Sequence, residues 1–310
     1  MDRLDAMTVF VAAVDGGSLS AAARKLHMPL PTVSRKISEL ESQVKARLLI
    51  RSTRRLVVTD AGRGYLTSCR RILEAVTEAE RVVAGEYSAP QGELIISAPI
   101  VFGRLHLLPV TTQFLEAYPQ VNVRFVLNDR TVSLLDSHID IAVRIGELRD
   151  SGLIATRVGT IRLVACASPA YLAEHGKPRV PRELTAHACV TFDALNAVDS
   201  WVFNDGSADT AVPIHPRLVV NTAEAAIDAA VAGVGLTRAL SYQVESAISA
   251  GLLTTVLTKF EPKPVPVNLV YAAQRQLPLK LRAFLDFASP RLRARLENAK
   301  RAGDRASSTI

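Results

Sequence analysis

GSLSAAARKLHMPLPTVSRKISEL, residues Gly17–Leu40, is the stretch whose reading decides the fold. It reads as two short helices joined by a tight turn. Ser18 stands where an N-cap belongs, ahead of the good helix formers Ala21, Ala22 and Ala23. Leu26 falls on the face of Ala22. Met28-Pro29 interrupts the pattern. Pro31 disfavours α conformation at Leu30 and suits the first turn of a new helix, where a missing N–H costs little. Val33, Ile37 and Leu40 then recur at steps of four and three, the buried stripe of that second helix. Thr32, Ser34, Arg35 and Lys36 fall mostly off the stripe. This is the pattern of a helix-turn-helix, which lays its second helix in the DNA major groove. An ordinary helical hairpin would show the same two amphipathic segments.

The flanks separate the two readings. Ser18 to Arg71 contains twelve Lys/Arg against three Asp/Glu. The following run LLIRSTRRLVVTDAG, Leu48 to Gly62, places Arg51, Arg54 and Arg55 at a turn before the β-type run Leu56-Val57-Val58. A basic hairpin wing beside a helix-turn-helix grips phosphates or the minor groove. Upstream, Leu4, Met7, Phe10, Val11 and Val14 keep helical spacing and predict a supporting helix that ends at Gly16-Gly17.

Phe10, the run SLSAA, Leu26, VSRKISELE from Val33 to Glu41, and LLIRSTRRLVVTDAG together resemble the LysR-type transcriptional regulators. The phrases ISAPIVFGRLHLLP, FLEAYPQV, IDIAVRIGEL, ASPAYLAEHGKP, PREL and AGVGLTRALSYQV resemble that family's effector domain. The likeness covers about residues 1–293, with order and spacing kept throughout. One departure is Leu30-Pro31, where many members carry Gln-Pro; Leu30 offers a base only an apolar contact, for instance to a thymine methyl. The resemblance implies a winged helix-turn-helix, all-α with a small β wing. It also implies an α/β effector domain of two subdomains with a cleft between them, like type 2 periplasmic binding proteins. It assigns Ser18, Leu30, Pro31, Thr32, Ser34, Arg35, Lys36, Arg51, Thr53 and Arg54 to DNA binding.

Thr59 and Asp60 open the next helix, the first as its cap and the second to suit the helix dipole. Tyr65, Cys69, Ile72, Val76, Ala79 and Val83 hold a heptad seam along it. The seam fits pairing of two chains over a symmetric site; the alternative is a helix lying on its own domain's core. The resemblance, which places a dimerising linker helix here, agrees with the first. The expected layout is a DNA-binding domain at 1–59, a linker helix at 60–87 and an effector domain at 88–295. Its subdomains would be 91–163 with 266–293, and 164–265, and 296–310 reads as a disordered tail. GEYSAPQG, Gly85–Gly92, reads as a hinge.

The net charge of +7 is uneven: residues 1–87 and 291–310 are each +4, while 88–290 is −1. The middle is therefore built for something other than a polyanion. In it, strand-like and helix-like runs alternate, as in α/β layers. Ser97-Ala98-Pro99 follows the first of these strands, and Asn221-Thr222 precedes the helix at Ala223–Val231. Two helix N-termini facing one cleft make a carboxylate site. Arg144 would add charge and Phe192 an apolar wall. Read singly, Ser97 and Thr222 are helix caps.

The three cysteines, Cys69, Cys166 and Cys189, are far apart, as in a reduced cytoplasmic protein. Six histidines show no metal spacing. There is no Gly-x-Ser-x-Gly elbow, no signal-peptide pattern and no apolar run of the ~20 residues a membrane span needs. The expectation is a cytoplasmic, non-enzymatic, effector-responsive regulator without cofactor. Its partners would be double-stranded DNA carrying an interrupted inverted repeat, a small anionic effector, RNA polymerase, and further copies of itself as homodimer or homotetramer. A small-molecule binding protein or enzyme with structural N-terminal helices would not need the basic segment. An architectural DNA binder would leave about 200 neutral residues without a task.

Overall fold

The computed structural model describes residues 2–51, 56–83, 89–130, 134, 138–148, 152–192, 199–274 and 277–308. The chain divides into two compact units, Met1–Ala89 and Pro90–Ile310.

In the first unit, α1 (Arg3–Asp15), α2 (Leu19–Lys25) and α3 (Leu30–Val44) precede a hairpin of β1 (Leu49–Arg51) and β2 (Leu56–Val58), and α4 (Asp60–Val83) follows. Val9, Phe10, Ala22, Val33, Ile37 and Leu40 are fully buried in one core, so the periodic stripe is the packed face of α3. The turn before α3 passes through left-handed backbone at His27, φ 52°, a conformation His tolerates better than most residues. Helix α3 begins at Leu30, one residue earlier than the proline rule suggests. Pro29 takes the extended conformation instead, and Pro31 sits where no intrahelical N–H bond is due. Thr59 caps α4, its Oγ1 accepting from Gly62 N at 2.9 Å and donating to Arg47 O at 2.7 Å. Gly62 has to be glycine, because a Cβ there would meet Leu48 O at 2.1 Å. Residues 85–88 of the expected hinge lie outside the described residues, and Gly92 at its end opens a strand.

The second unit holds two five-stranded sheets. The first runs β4 (Val121–Leu127), β3 (Gly92–Ala98), β5 (Ile141–Ile145), β14 (Val265–Ala272), β6 (Leu153–Ile161). The second runs β11 (His215–Val220), β8 (Ala188–Phe192), β12 (Leu236–Leu240), β7 (Leu163–Ala167), β13 (Thr254–Val256). A hairpin of β9 (Ser200–Asn204) and β10 (Asp209–Pro213) stands apart from both. Helix α5 (Ile100–Phe102) continues through a π turn, Gly103–Leu107, into α6 (Leu108–Ala117). The others are α7 (Pro169–His175), α8 (Ala223–Val231), α9 (Ser241–Ser249) and α10 (Leu279–Ser308). The chain crosses between sheets at Arg162 and again ahead of β14. Arg162 ties the two crossings together: its Nε and Nη2 donate to the Glu261 carboxylate at 2.8 and 3.1 Å.

Strand β6 ends at Ile161 and lies at the sheet edge, where its mixed composition hides it in the sequence. Two expectations need correction. The stretch 296–308 is not a disordered tail but the continuation of α10. Leu292 and Leu296 extend its buried stripe, and Leu296 Cδ1 fills the space where a Cβ on Gly159 would lie, 2.7 Å away. Phe192 presents no open wall: it is buried in a core shared by both sheets, with Phe102, Leu240, Tyr242 and Phe284.

Candidate nucleic-acid interface and ligand cleft

Helix α3 of the first unit divides by face. Val33, Ile37 and Leu40 are fully buried, whereas Leu30 is 44% exposed and Pro31 is exposed. Thr32 and Ser34 are half-buried. The Arg35 side chain is 71% exposed and makes only a loose i,i+4 contact to Glu39, 3.8 Å. Lys36, one residue on, differs. Its ammonium pairs with the Asp5 carboxylate of α1 and its side chain is only 18% exposed. Lys36, expected among the DNA-binding residues, thus joins α3 to α1. Ser18 Oγ accepts from Ala21 N at 3.1 Å and caps α2.

The wing forms as the sequence reads. Leu49 pairs with Val58, Ile50 with Val57 and Arg51 with Leu56. Glu41 of α3 fixes its start, Oε1 accepting from Leu48 N at 2.8 Å and Leu49 N at 3.0 Å. That joint was not foreseen; a carboxylate two turns before a strand is its only signal. Thr53 and Arg54 lie outside the described residues, and so does the side chain of Arg51.

The α4 seam splits in two. The Tyr65 ring lies tilted by 45° against Phe10, centroids 6.0 Å apart, and Cys69 is fully buried in the same core. Burial pushes the Cys69 thiol up to about 11. Cys69 is thus withdrawn from any surface between chains, because α1 already covers it. Further along, Ile72 is 40% exposed, Ala79 is exposed and Val76 is half-buried. The Val83 side chain lies outside the described residues.

In the second unit, the ends of β3 and β11 deliver the expected residues to the starts of α5 and α8. Ser97 is fully buried, and its Oγ has no hydrogen-bond partner among the described residues. The Ala98 methyl is in the core and its carbonyl accepts from Asn128 N at 3.0 Å. Pro99 precedes α5. Thr222 caps α8, accepting from Ala225 N at 3.3 Å, with exposed Asn221 before it. Arg144, near the end of β5, is half-buried, which lowers its pKa.

Two acidic residues at these helix starts were missed. Asp129 Oδ1 accepts from Ile100 N at 3.0 Å, so the chain's own carboxylate already caps α5. Burial raises the Asp129 pKa, and nearby Glu224 adds to the shift. Glu224, in the first turn of α8, reaches Arg104 at 3.9 Å. Behind them His106, in the π turn, packs between Phe102 and Tyr242, ring centroids 5.0 and 5.2 Å away. Both its ring nitrogens are buried without a partner among the described residues. Burial, with some help from Arg295, lowers the His106 pKa to about 4.

Comparison with known proteins bears on both regions. Residues 4–63 match the bacterial regulatory helix-turn-helix protein, lysR family, and residues 88–293 match the LysR substrate binding domain. An HTH-type transcriptional regulator of Xanthomonas campestris pv. campestris is 35% identical over 288 residues, 92% of this chain and 84% of that protein. The HTH-type transcriptional regulator CrgA of Neisseria meningitidis serogroup C is 35% identical over 285 residues, 91% of this chain and 94% of that one. Among solved structures, CrgA of Neisseria meningitidis superposes with a TM-score of 0.60 at 33% identity, covering 93% of this chain and 98% of that chain. The full-length Vibrio cholerae virulence activator AphB gives 0.59 at 26% identity, covering 92% and 98%.

Proposed function

Because the chain belongs to the LysR family of bacterial helix-turn-helix transcriptional regulators, we propose that it is a sequence-specific regulator whose action on its operator responds to a small, anionic effector. The observation that carries the DNA-reading half is the segregation of α3: a fully buried stripe behind, and Leu30 and Arg35 standing in solvent in front. Leu30, Pro31, Thr32, Ser34 and Arg35 are the proposed base-edge and backbone contacts, with Ser18 positioning the preceding helix. Arg51, Thr53 and Arg54 of the wing would hold phosphates. Pairing through the exposed part of α4 would set two such helices on an interrupted inverted repeat, one half-site each. The free, buried cysteines are in keeping with a reducing cytoplasm. The regulator would act there on RNA polymerase at its promoters, and no catalytic role is proposed.

The effector is proposed to sit between the two sheets at Ser97, Pro99, Arg144, Asn221 and Thr222. The N–H groups of the first helical turns and the Arg144 charge favour an anion. Asp129 already occupies one of those groups, so an incoming carboxylate would exchange with it. The raised Asp129 pKa marks the cost of holding its charge buried, and release of the carboxylate to solvent recovers that cost.

The test uses two variants of the full chain. Arg35→Ala should abolish operator binding while effectors still raise the melting temperature. Thr222→Ala should keep basal operator binding and weaken the effector response. An effector response unchanged in both Thr222→Ala and Ser97→Ala would overturn the cleft assignment and leave the DNA-binding assignment standing.

A further inference from the structure

The second unit holds an open pocket of about 290 Å³ on its first sheet, lined by Glu147, Leu148, Arg157, Pro264, Pro266 and Asn268. That is the small end of ligand pockets, which begin near ~300 Å³. Strand register brings the lining together. Asn268 of β14 is paired with Arg144 of β5 on one side and with Arg157 of β6 on the other, and directly paired residues share a face of the sheet. Gly146 N donates to Pro266 O at 2.9 Å, which holds the Glu147–Leu148 end of β5 beside the two prolines.

Asn268 is 7% exposed as a whole residue, and its amide, which makes no hydrogen bond among the described residues, is open to the pocket. An amide open to the pocket can donate to a ligand seated there. Arg157 and Glu147 bring opposite charges to the same pocket, and among the described residues neither forms an ion pair, with each other or with any other group. The remaining lining is apolar: Leu148 and two prolines.

We propose that this pocket binds a free α-amino acid, or a zwitterion of that size. The carboxylate lies on the Arg157 guanidinium, with the Asn268 amide donating to it. The ammonium lies on Glu147, and an apolar side chain rests against Leu148, Pro264 and Pro266. A guanidinium suits a carboxylate because its donors form a planar fork. A simple carboxylate leaves Glu147 unpaired beside it, and a simple amine leaves Arg157 unpaired. Only a ligand with both charges satisfies both groups. The proposal does not depend on the cleft at Ser97 and Thr222, since neither residue lines this pocket.

The experiment titrates the full-length protein with each common amino acid at millimolar concentration, by thermal shift and calorimetry. The best binder is then compared with its deaminated acid and its decarboxylated amine. Expected is saturable binding of at least one amino acid with an apolar side chain, and at least about tenfold weaker binding of both single-charge counterparts. Glu147→Gln and Arg157→Gln should each weaken it by about tenfold or more. Both residues are at the surface, so neither change should move the melting temperature of the free protein or its DNA affinity. The absence of a shift with every amino acid would overturn the proposal, as would binding that survives Arg157→Gln. Binding lost in Thr222→Ala but kept in Arg157→Gln would place the ligand in the cleft instead, refuting this pocket while supporting that one.

Discussion

Arg35 and Lys36 show where a sequence stops being legible. Both lie off the buried stripe of α3, and nothing in their spacing tells them apart. The difference comes from Asp5, thirty-one residues earlier, which the packing of α1 brings to Lys36 and not to Arg35. Lys36→Met should therefore lower thermal stability, by about 1 kcal/mol for a half-buried pair, and leave the salt dependence of DNA binding unchanged. Arg35→Ala should do the reverse, costing about 1–3 kcal/mol at each half-site. Comparing melting temperature with operator affinity in the two variants checks both. His106 offers a second residue-scale test. Its folded pKa, about 4, lies below the ordinary value of 6.5. The unfolded chain therefore takes up the proton first as pH falls. The stability linked to His106 is complete above 6.5 and is lost progressively towards pH 4. His106→Phe should keep the aromatic packing and flatten that part of the pH profile in urea titrations. A profile as steep as that of the parent protein would show that His106 is not the titrating group. Sequence alone leaves this histidine as one of six, because its burial depends on Tyr242 from α9.

At the scale of elements, long periodic segments were readable and boundaries set by distant contacts were not. The helix Ala223–Val231 appears as its spacing predicts, between its Thr222 cap and the glycine that follows it. Strand β6 was missed because an edge strand alternates poorly: Leu153–Ile161 carries Thr, Arg and Gly among its apolar residues. The end of α10 was misread because its basic, alanine-rich composition resembles a tail, while Leu292 and Leu296 still have a sheet to cover. For α4, the heptad was legible but not the division of labour within it. Tyr65 and Cys69 belong to the first unit's core, and the exposed portion begins at Ile72. Ile72→Glu should shift the protein towards monomers or weaker assemblies in sedimentation and weaken operator binding, with little change in melting temperature. Cys69→Asp should instead unfold the first unit, because it buries a charge without a partner. An assembly and operator affinity both unchanged in Ile72→Glu would remove α4 from the pairing surface.

For the whole molecule, the boundary near residue 88 was legible from charge and from the break in helical pattern, and the chain divides at Ala89. The two-sheet plan of the second unit was legible through family likeness. The way its sheets share one core was not, since Phe192 and Phe102 meet only after both have folded. The pocket around Asn268 was equally hidden, because strand register assembles it from segments more than 100 residues apart. The charge map is the feature that ties the molecule to its role: twelve basic against three acidic residues between Ser18 and Arg71, and a nearly neutral middle. The most direct measurement is the operator affinity of the full chain as a function of salt. With Arg35, Arg51 and Arg54 from each of two protomers, about six contacts per dimer, log affinity against log salt should fall with a slope near −5. A slope shallower than about −3 would contradict the claim that this surface binds DNA.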